Sequence, residues 1–458
     1  MAERTATLES TLAALLDAKK YSVLKDILVT MNPSDIASVF AELTEEQIPL
    51  LFRLLPKEMA AEAFVEMEPD SQELLIRGFS DLELRQVIDE LYVDDAADII
   101  EEMPANVVKR ILASADPQKR KEINEILRYP DNSAGANMTT EYVSLRPQMT
   151  VEEAITRIRR TGVDKETIYT CYVTSSDRKL IGFTTVKDLL LVQDDQMEIR
   201  DIMDENVISV TTESDQEEVA QMLAKYNFLA LPVVDKENRM VGIVTFDDAM
   251  DIIEEETTED IQKMGGILPS DKTYLKSSPF EIFKNRIPWL MVLMLSATFT
   301  GIIIASFENA LTAQVVLTAF IPMLTGTGGN SGSQSSVSVI RALSLSEIEF
   351  SDMPAVIWKE IRASVLCGAA LAIVCFGKIM LVDRLLMNNP DVTIPVALTV
   401  CVTMIFTVMI AKLIGCMLPI FADRLGLDPA VMASPFISTV VDALSLLIYF
   451  AVAYALLF

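Results

Sequence analysis

The 458 residues leave room for about two to four domains, and the net charge of −28 is uneven: the first 286 residues carry 56 acidic and 31 basic side chains, the remainder 10 and 7. Such an acidic leading part argues against nucleic acid or anionic lipid as a partner and fits a surface that attracts cations. The absence of histidine removes the usual ligand of zinc, copper and nickel and the commonest proton shuttle of acid–base enzymes.

Residues 1–130 read as an all-α domain of stacked helical hairpins. Apolar residues recur at helical spacing in Leu82, Leu84, Val87, Ile88 and Leu91. Breaks at Leu55-Pro56, Glu68-Pro69 and Met103-Pro104 each precede a new helix. The N-terminus is polar and helix-forming, without the apolar core of a signal peptide, so the soluble part is expected in the cytosol.

An internal repeat follows. The first copy runs from Met138 to Leu189 and the second from Met203 to Asp248. Gly182, Thr185 and Asp188 recur as Gly242, Thr245 and Asp248. Each copy reads strand, helix, strand, strand, helix. The pattern resembles a tandem pair of CBS domains, here 131–200 and 201–254. That resemblance implies a regulatory module open to an adenine nucleotide such as ATP, with the Thr-x-x-Asp element as the ribose contact. The same element is also an ordinary helix N-cap.

An acidic run, Asp251 to Asp260, opens a connecting helix placed at 255–280. The remaining 281–458 is expected to cross a lipid bilayer five times, at about 287–307, 311–340, 363–382, 392–419 and 429–458. The second and fifth stretches exceed one span, so tilt, a break or a projecting end is expected of them. Lys276, Lys284, Arg286, Arg341, Lys359, Arg362 and Arg424 fall on one side and Arg384 on the other. The positive-inside rule then puts the N-terminus in the cytosol and Phe458 outside a cell (inner) membrane. Four of the five cysteines, Cys367, Cys375, Cys401 and Cys416, lie in apolar segments and Cys171 in the first repeat copy. With no CxxC pair among them, all five read as small buried hydrophobes.

The stretch Pro322 to Gln334, rich in glycine, serine and asparagine, is anomalous inside a span. Irregular backbone in lipid survives only where it lines a cavity or packs in protein. The stretch therefore reads as lining a polar path through Gly328, Gly329, Asn330 and Gln334, or else as a helix contact made of small residues. Asp442 is a carboxylate midway along the fifth stretch, where a charge normally faces a wet interior. Two copies in a dimer could neutralise one divalent cation that keeps its water, as Mg2+ does. Asp428, before Pro429, marks the inner mouth of the same span, or an N-cap.

Gly326 to Gln334, the Leu427-Asp-Pro-Ala430 start and the position of Asp442, in this order of domains, resemble the MgtE-type magnesium channels over essentially the whole chain. The resemblance implies a homodimeric Mg2+ channel, not an enzyme, with Asp442 as its selectivity site and cytosolic Mg2+ closing it. It implies sensing carboxylates at Glu62, Asp94 and Asp98 in the N domain, Asp215, Glu217, Asp248 and Asp251 in the second CBS copy, and Glu256, Glu259 and Asp260 in the connecting helix. Position 227 is Asn where an acid is expected. Two other classes fit less well. A phosphate loop lacks its Lys-Ser/Thr ending, while an ion-coupled secondary transporter of divalent cations could also use Asp442.

Overall fold

The computed structural model describes residues 11–457 except 13, 17, 271–273, 276 and 433. It divides into two compact units, Met1–Ile253 and Glu254–Phe458.

The first unit begins with helices α1 (Tyr21–Leu28), α2 (Pro33–Ala41), α3 (Ile48–Phe52), α4 (Lys57–Val65), α5 (Pro69–Gly78), α6 (Asp81–Glu90), α7 (Val93–Glu102), α8 (Ala105–Ser114) and α9 (Pro117–Ile126). The three expected breaks are the starts of α4, α5 and α8. Proline there supplies a helical φ at a position whose N–H has no intrahelical partner. Asn32 and Asp116 cap α2 and α9, and Ser80 with Glu83 forms a capping box on α6. One core joins the helices, with Phe40 and Phe64 fully buried and Phe52, Phe64 and Phe79 in mutual ring contact.

The repeat forms two matching modules. β1 (Tyr142–Leu145), α10 (Val151–Thr161), β2 (Thr167–Thr174), β3 (Leu180–Thr185) and α11 (Val186–Leu191) make the first. After the short α12 (Ile199–Ile202) come β4 (Val210–Thr211), α13 (Gln216–Tyr226), β5 (Ala230–Val234), β6 (Met240–Thr245) and α14 (Phe246–Met264). Both sheets pair their first two strands parallel and the last two antiparallel. The modules are interlocked: Thr139 bridges to Ile243 and Asp204 to Phe183. This explains the repeated glycines. A Cβ at Gly182 would strike Met203 and Asp204, and one at Gly242 would strike Met138 and Thr139. Each copy's glycine makes room for the other copy's leading segment.

Among the described residues the second unit holds five long helices: α15 (Pro279–Ser306), then, after the short α16 (Glu308–Ala313), α17 (Ile321–Ser344), α18 (Met353–Lys378), α19 (Ile394–Arg424) and α20 (Ser434–Leu457). Four of these, with their flanking turns, are long and apolar enough to cross a membrane. The exception is α17, diluted by its glycines and serines. The second and fifth expected stretches are broken, by 3-10 turns at Val315–Phe320 and Pro429–Met432. The third begins ten residues before its expected start and ends in π-type turns, Ile379–Leu386. The expected order of helical N domain, two α/β modules, connecting helix and helical membrane region is the order observed. Cys171, Cys375, Cys401 and Cys416 are buried as expected, whereas Cys367 is exposed.

Candidate functional site

The glycine stretch is not irregular. It is an unbroken part of α17, and its small residues let neighbouring helices approach. A Cβ on Gly328 would strike Thr407, Ser445 and Val441. Gly329 lies against Ser438, and Gly332 against Ile437 and the backbone of Ala411. A Cβ on Gly415 of α19 would fall on the Gly332 carbonyl oxygen. Gly328 and Gly329, expected to line a path, are thus buried against α19 and α20 of the same chain, because a backbone without side chains is the closest surface a helix can offer. Asn330 and Gln334 sit one turn apart on the uncovered side of α17.

Asp442 borders the stripe of α20 that meets α17. Ser438, four residues earlier on nearly the same face, touches Gly329, while Val441 and Ser445 touch Gly328. Asp442 is half-buried and is the sole charged side chain of α20. Among the described residues it forms no hydrogen bond or ion pair.

At the start of the unit, the last turns of α14 meet the membrane helices. Lys263 ion-pairs with Asp428 at 2.6 Å and Glu259 at 2.7 Å. Ser344 of α17 donates to Asp260 at 3.2 Å. Burial raises the Asp260 carboxyl, and the nearby Asp428 raises it further. Asp428 also accepts from the Ala430 amide at 2.7 Å, so the N-cap reading of this residue is realised beside the ion pair.

In the first unit a second group of acids forms where α7 meets the β-modules. Asp94 is buried, and its Oδ1 has no hydrogen-bond partner. The same holds for Oε2 of the half-buried Glu166. Glu141 accepts from the Val93 amide at 3.1 Å, fixing the start of α7. Asp95, Asp98, Asp247 and Asp248 complete the group. Burial, then Asp248 and Asp95, pushes Asp94 well above the ordinary carboxylate range. Asp95 rises to about 6 by burial and then by Asp248. Glu166 rises to about 8 by burial and then by Asp95 and Asp248. Asp248 rises to about 6 by burial, against the opposing hydrogen bond from Thr245. Asp98 is raised by surrounding protein and then by Asp248. It keeps a solvent-exposed edge, so water screens part of that effect.

Of the residues expected from sequence, Asp94, Asp98 and Asp248 are brought together. Glu62 is exposed on α4. Asp215 caps α13 by accepting from the Glu217 amide, and Glu217 in turn accepts from Gln221. Asp251 is exposed and Glu256 half-buried on α14. Asn227 ends α13 in left-handed backbone at φ 54°, a conformation asparagine adopts more readily than most residues. The Thr-x-x-Asp element of the first module is an N-cap, with Thr185 Oγ1 accepting from the Asp188 amide at 3.1 Å, and in both modules the threonine hydroxyl donates to the aspartate, Thr185 to Asp188 at 2.5 Å and Thr245 to Asp248.

Sequence reading missed Asp95 and Asp247, which adjoin Asp94 and Asp248 on the same helices, and Glu141 and Glu166, which reach the acid group only through the tertiary fold. It also missed Lys412 on α19, bound to Ser335 and Glu360. The signal was present: Lys412 is the only charge between 392 and 419.

Comparison with known proteins follows the same division. The family model described as a divalent cation transporter, MgtE, matches residues 321–452, that of the MgtE intracellular N domain 31–132, and CBS domains match 135–195 and 199–255. The magnesium transporter MgtE of Thermus thermophilus is 38% identical over 438 residues, 95% of each chain. That of Bacillus subtilis is 32% identical over 441 residues, 96% of this chain and 95% of the relative. A crystal structure of the cytosolic domain of the Mg2+ channel MgtE in complex with ATP is 37% identical, with a TM-score of 0.51. The similarity covers 53% of this chain and 99% of that one.

Proposed function

The chain belongs to the MgtE family of magnesium transporters, and from that premise we propose that it is a homodimeric, five-span Mg2+ channel of the cell membrane, closed by Mg2+ on its cytosolic side. The observation that carries the conduction reading is Asp442: a half-buried carboxylate within a membrane helix that has no partner among the described residues. A charge so placed is costly unless it meets water, a cation or a second copy of the chain. In a dimer two such carboxylates balance one Mg2+, whose tightly held water shell is matched by amide side chains such as Asn330 and Gln334 rather than by a dry cage. Magnesium is the cargo here, and the glycines of α17 shape the path indirectly, by seating the helix.

Control falls to the acids. Two orphaned buried oxygens, on Asp94 and Glu166, fit a hard cation, which prefers oxygen donors. Among the described residues no three carboxylates are placed to hold a metal ion directly. The arrangement therefore suits a hydrated ion that relieves repulsion between Asp94, Asp95, Asp98, Glu166 and Asp248. Glu62, Asp215, Glu217, Asp251 and Glu256 act as outlying members of this cytosolic field. Glu259, Asp260 and Asp428 couple the connecting helix to the membrane helices. The ATP held by the cytosolic domain of the relative supports a nucleotide site in these modules, where Asp188 is exposed and open to a ribose. With a cytosolic N-terminus and five spans, Phe458 lies outside.

Proteoliposomes test the reading. The protein should pass Mg2+ down its gradient without a proton gradient, and Asp442→Asn should lower that flux about tenfold or more, as loss of a charged partner in a low-dielectric path does. Unchanged flux in Asp442→Asn removes the pore assignment. Flux that requires an imposed proton or Na+ gradient replaces the channel by a coupled transporter.

A further inference from the structure

Three membrane helices meet at one polar point that conduction by Asp442 does not use. Lys412 of α19 and Glu360 of α18 approach to 3.6 Å, with side chains 10% and 18% exposed. Ser335 of α17 lies between them. Its hydroxyl donates to Glu360 Oε2 at 2.6 Å and accepts from Lys412 Nζ at 3.3 Å. Ser335 directly follows Gln334 and lies three residues beyond Gly332, and Gly415 lies three residues beyond Lys412. The polar bridge is therefore one helical turn from the place where α17 and α19 touch backbone to backbone.

We propose that Lys412, Glu360 and Ser335 form a positioning clamp for permeation, one that holds α17 in the pose presenting Asn330 and Gln334 and keeps the lysine charge cancelled behind the path. The inference rests on the channel reading above. A lysine alone in this apolar helix would be costly, and removing one partner of a buried pair leaves the other charge uncompensated. Close packing at Gly332–Gly415 fixes how near α17 and α19 come, but smooth glycine surfaces resist sliding poorly. The serine bridge supplies the register, since the hydroxyl reaches both charges only in one axial position. The charge matters as well. An unpaired ammonium behind α17 would oppose a divalent cation on its other side, whereas the neutral pair does not.

The test is a double-mutant cycle on the full chain, read as Mg2+ uptake into proteoliposomes and as thermal unfolding in detergent. Glu360→Gln leaves the ammonium alone and should cut Mg2+ flux about tenfold, within the range of coupled neighbours. Lys412→Met leaves a carboxylate, which does not repel the cation, and should cut it less. Lys412→Met with Glu360→Gln carries no charge and should return to within about threefold of wild type. Ser335→Ala should lower flux while leaving the ion pair in place. Recovery in the double variant is the deciding result, because lost packing alone would add rather than cancel. A double variant as impaired as Glu360→Gln, or all variants equal to wild type, overturns the clamp. If the single variants do not assemble, the double variant decides by itself: near-wild-type flux supports the clamp, and lost flux from folded protein overturns it. Wild-type vesicles that take up no Mg2+ overturn the channel reading instead, and the unfolding cycle still reports whether the charges are coupled.

Discussion

The acid group of the first unit and the helix contact of the second are built on opposite principles. Around Asp94, charges of one sign are pressed together, two buried oxygens lack partners, and burial with neighbouring acids raises the carboxyls of Asp94, Asp95, Asp98, Glu166 and Asp248. Around Gly332, backbones touch, and the buried charges Lys412 and Glu360 are joined through a serine. On the function proposed above, a cation completes the first arrangement. The second is complete as it stands. A sensor must be unsatisfied in one of its two states, since a ligand shifts an equilibrium only by its preference for one of them. A scaffold for a conduction path has no such need.

The contrast is broken most directly at the glycines. Gly415→Leu should abolish folded membrane protein, and even Gly415→Ala places a methyl on the Gly332 carbonyl oxygen. Overpacking of this kind costs about 1–3 kcal/mol, and more where backbone must move. Yield of monodisperse protein and its melting temperature read the effect. A Gly415→Ala protein that melts like wild type would mean that the contact is not tight. At the acid group the same class of experiment should give the opposite sign. Asp94→Asn with Asp248→Asn should stabilise the Mg2+-free protein by about 1–2 kcal/mol, because charged neighbours in a partly buried setting repel. It should also remove most of the extra stability that Mg2+ confers on wild type. Destabilisation without Mg2+ would show that the acids are not in conflict.

These two regions were also unequally legible. The order of domains followed from periodicity and repeats, because hydrophobic spacing and capping are local. Pro56, Pro69 and Pro104 start helices for reasons that lie within a few residues of each. The acid group was half visible. Asp94 and Asp98 share one helix and Asp248 begins another, but Glu166 stands at the edge of β2 and Glu141 before β1, and only the packing of α7 against the first module, where the Val93 amide meets Glu141, brings them together. In the membrane unit, composition marked the glycines as unusual without saying which way they face. The same residues suit a polar path or a close helix contact. Gly328 and Gly329 serve the contact, and Asn330 and Gln334 are left uncovered.

A pH titration sharpens the comparison further. A carboxyl raised in the folded protein binds its proton more tightly there than in the unfolded chain. Its favourable contribution is full below the unfolded value near 4, and is lost as pH rises through the folded one. For Asp95 and Asp248 that loss is complete above about 6, and for Glu166 only above about 8, so Glu166 carries the change between 8 and 6. The first thermal transition of the detergent-solubilised full chain, measured without Mg2+, should therefore rise as pH falls from about 8 to 6. Each kcal/mol is worth about 2–4 °C for a unit of this size. Mg2+ should flatten the dependence by neutralising the same charges. A transition independent of pH between these limits would contradict the raised carboxyls.

The smallest effect is expected at Asn227. Its left-handed backbone at φ 54° ends α13, and an acid there would sit at the negative end of a helix dipole. Asn227→Asp should cost a few tenths of a kcal/mol without Mg2+. If this position borders the cation field, Mg2+ should return more than that cost, and the variant should close at lower Mg2+ than wild type. Asn227→Gly keeps the backbone and adds no charge, so it should leave the Mg2+ dependence unchanged. The pair separates two reasons for asparagine at this site. A backbone reason alone predicts the same Mg2+ response in both variants. A charge reason predicts that only the aspartate moves it, and the sensing field would then extend from Asp94 to the end of α13.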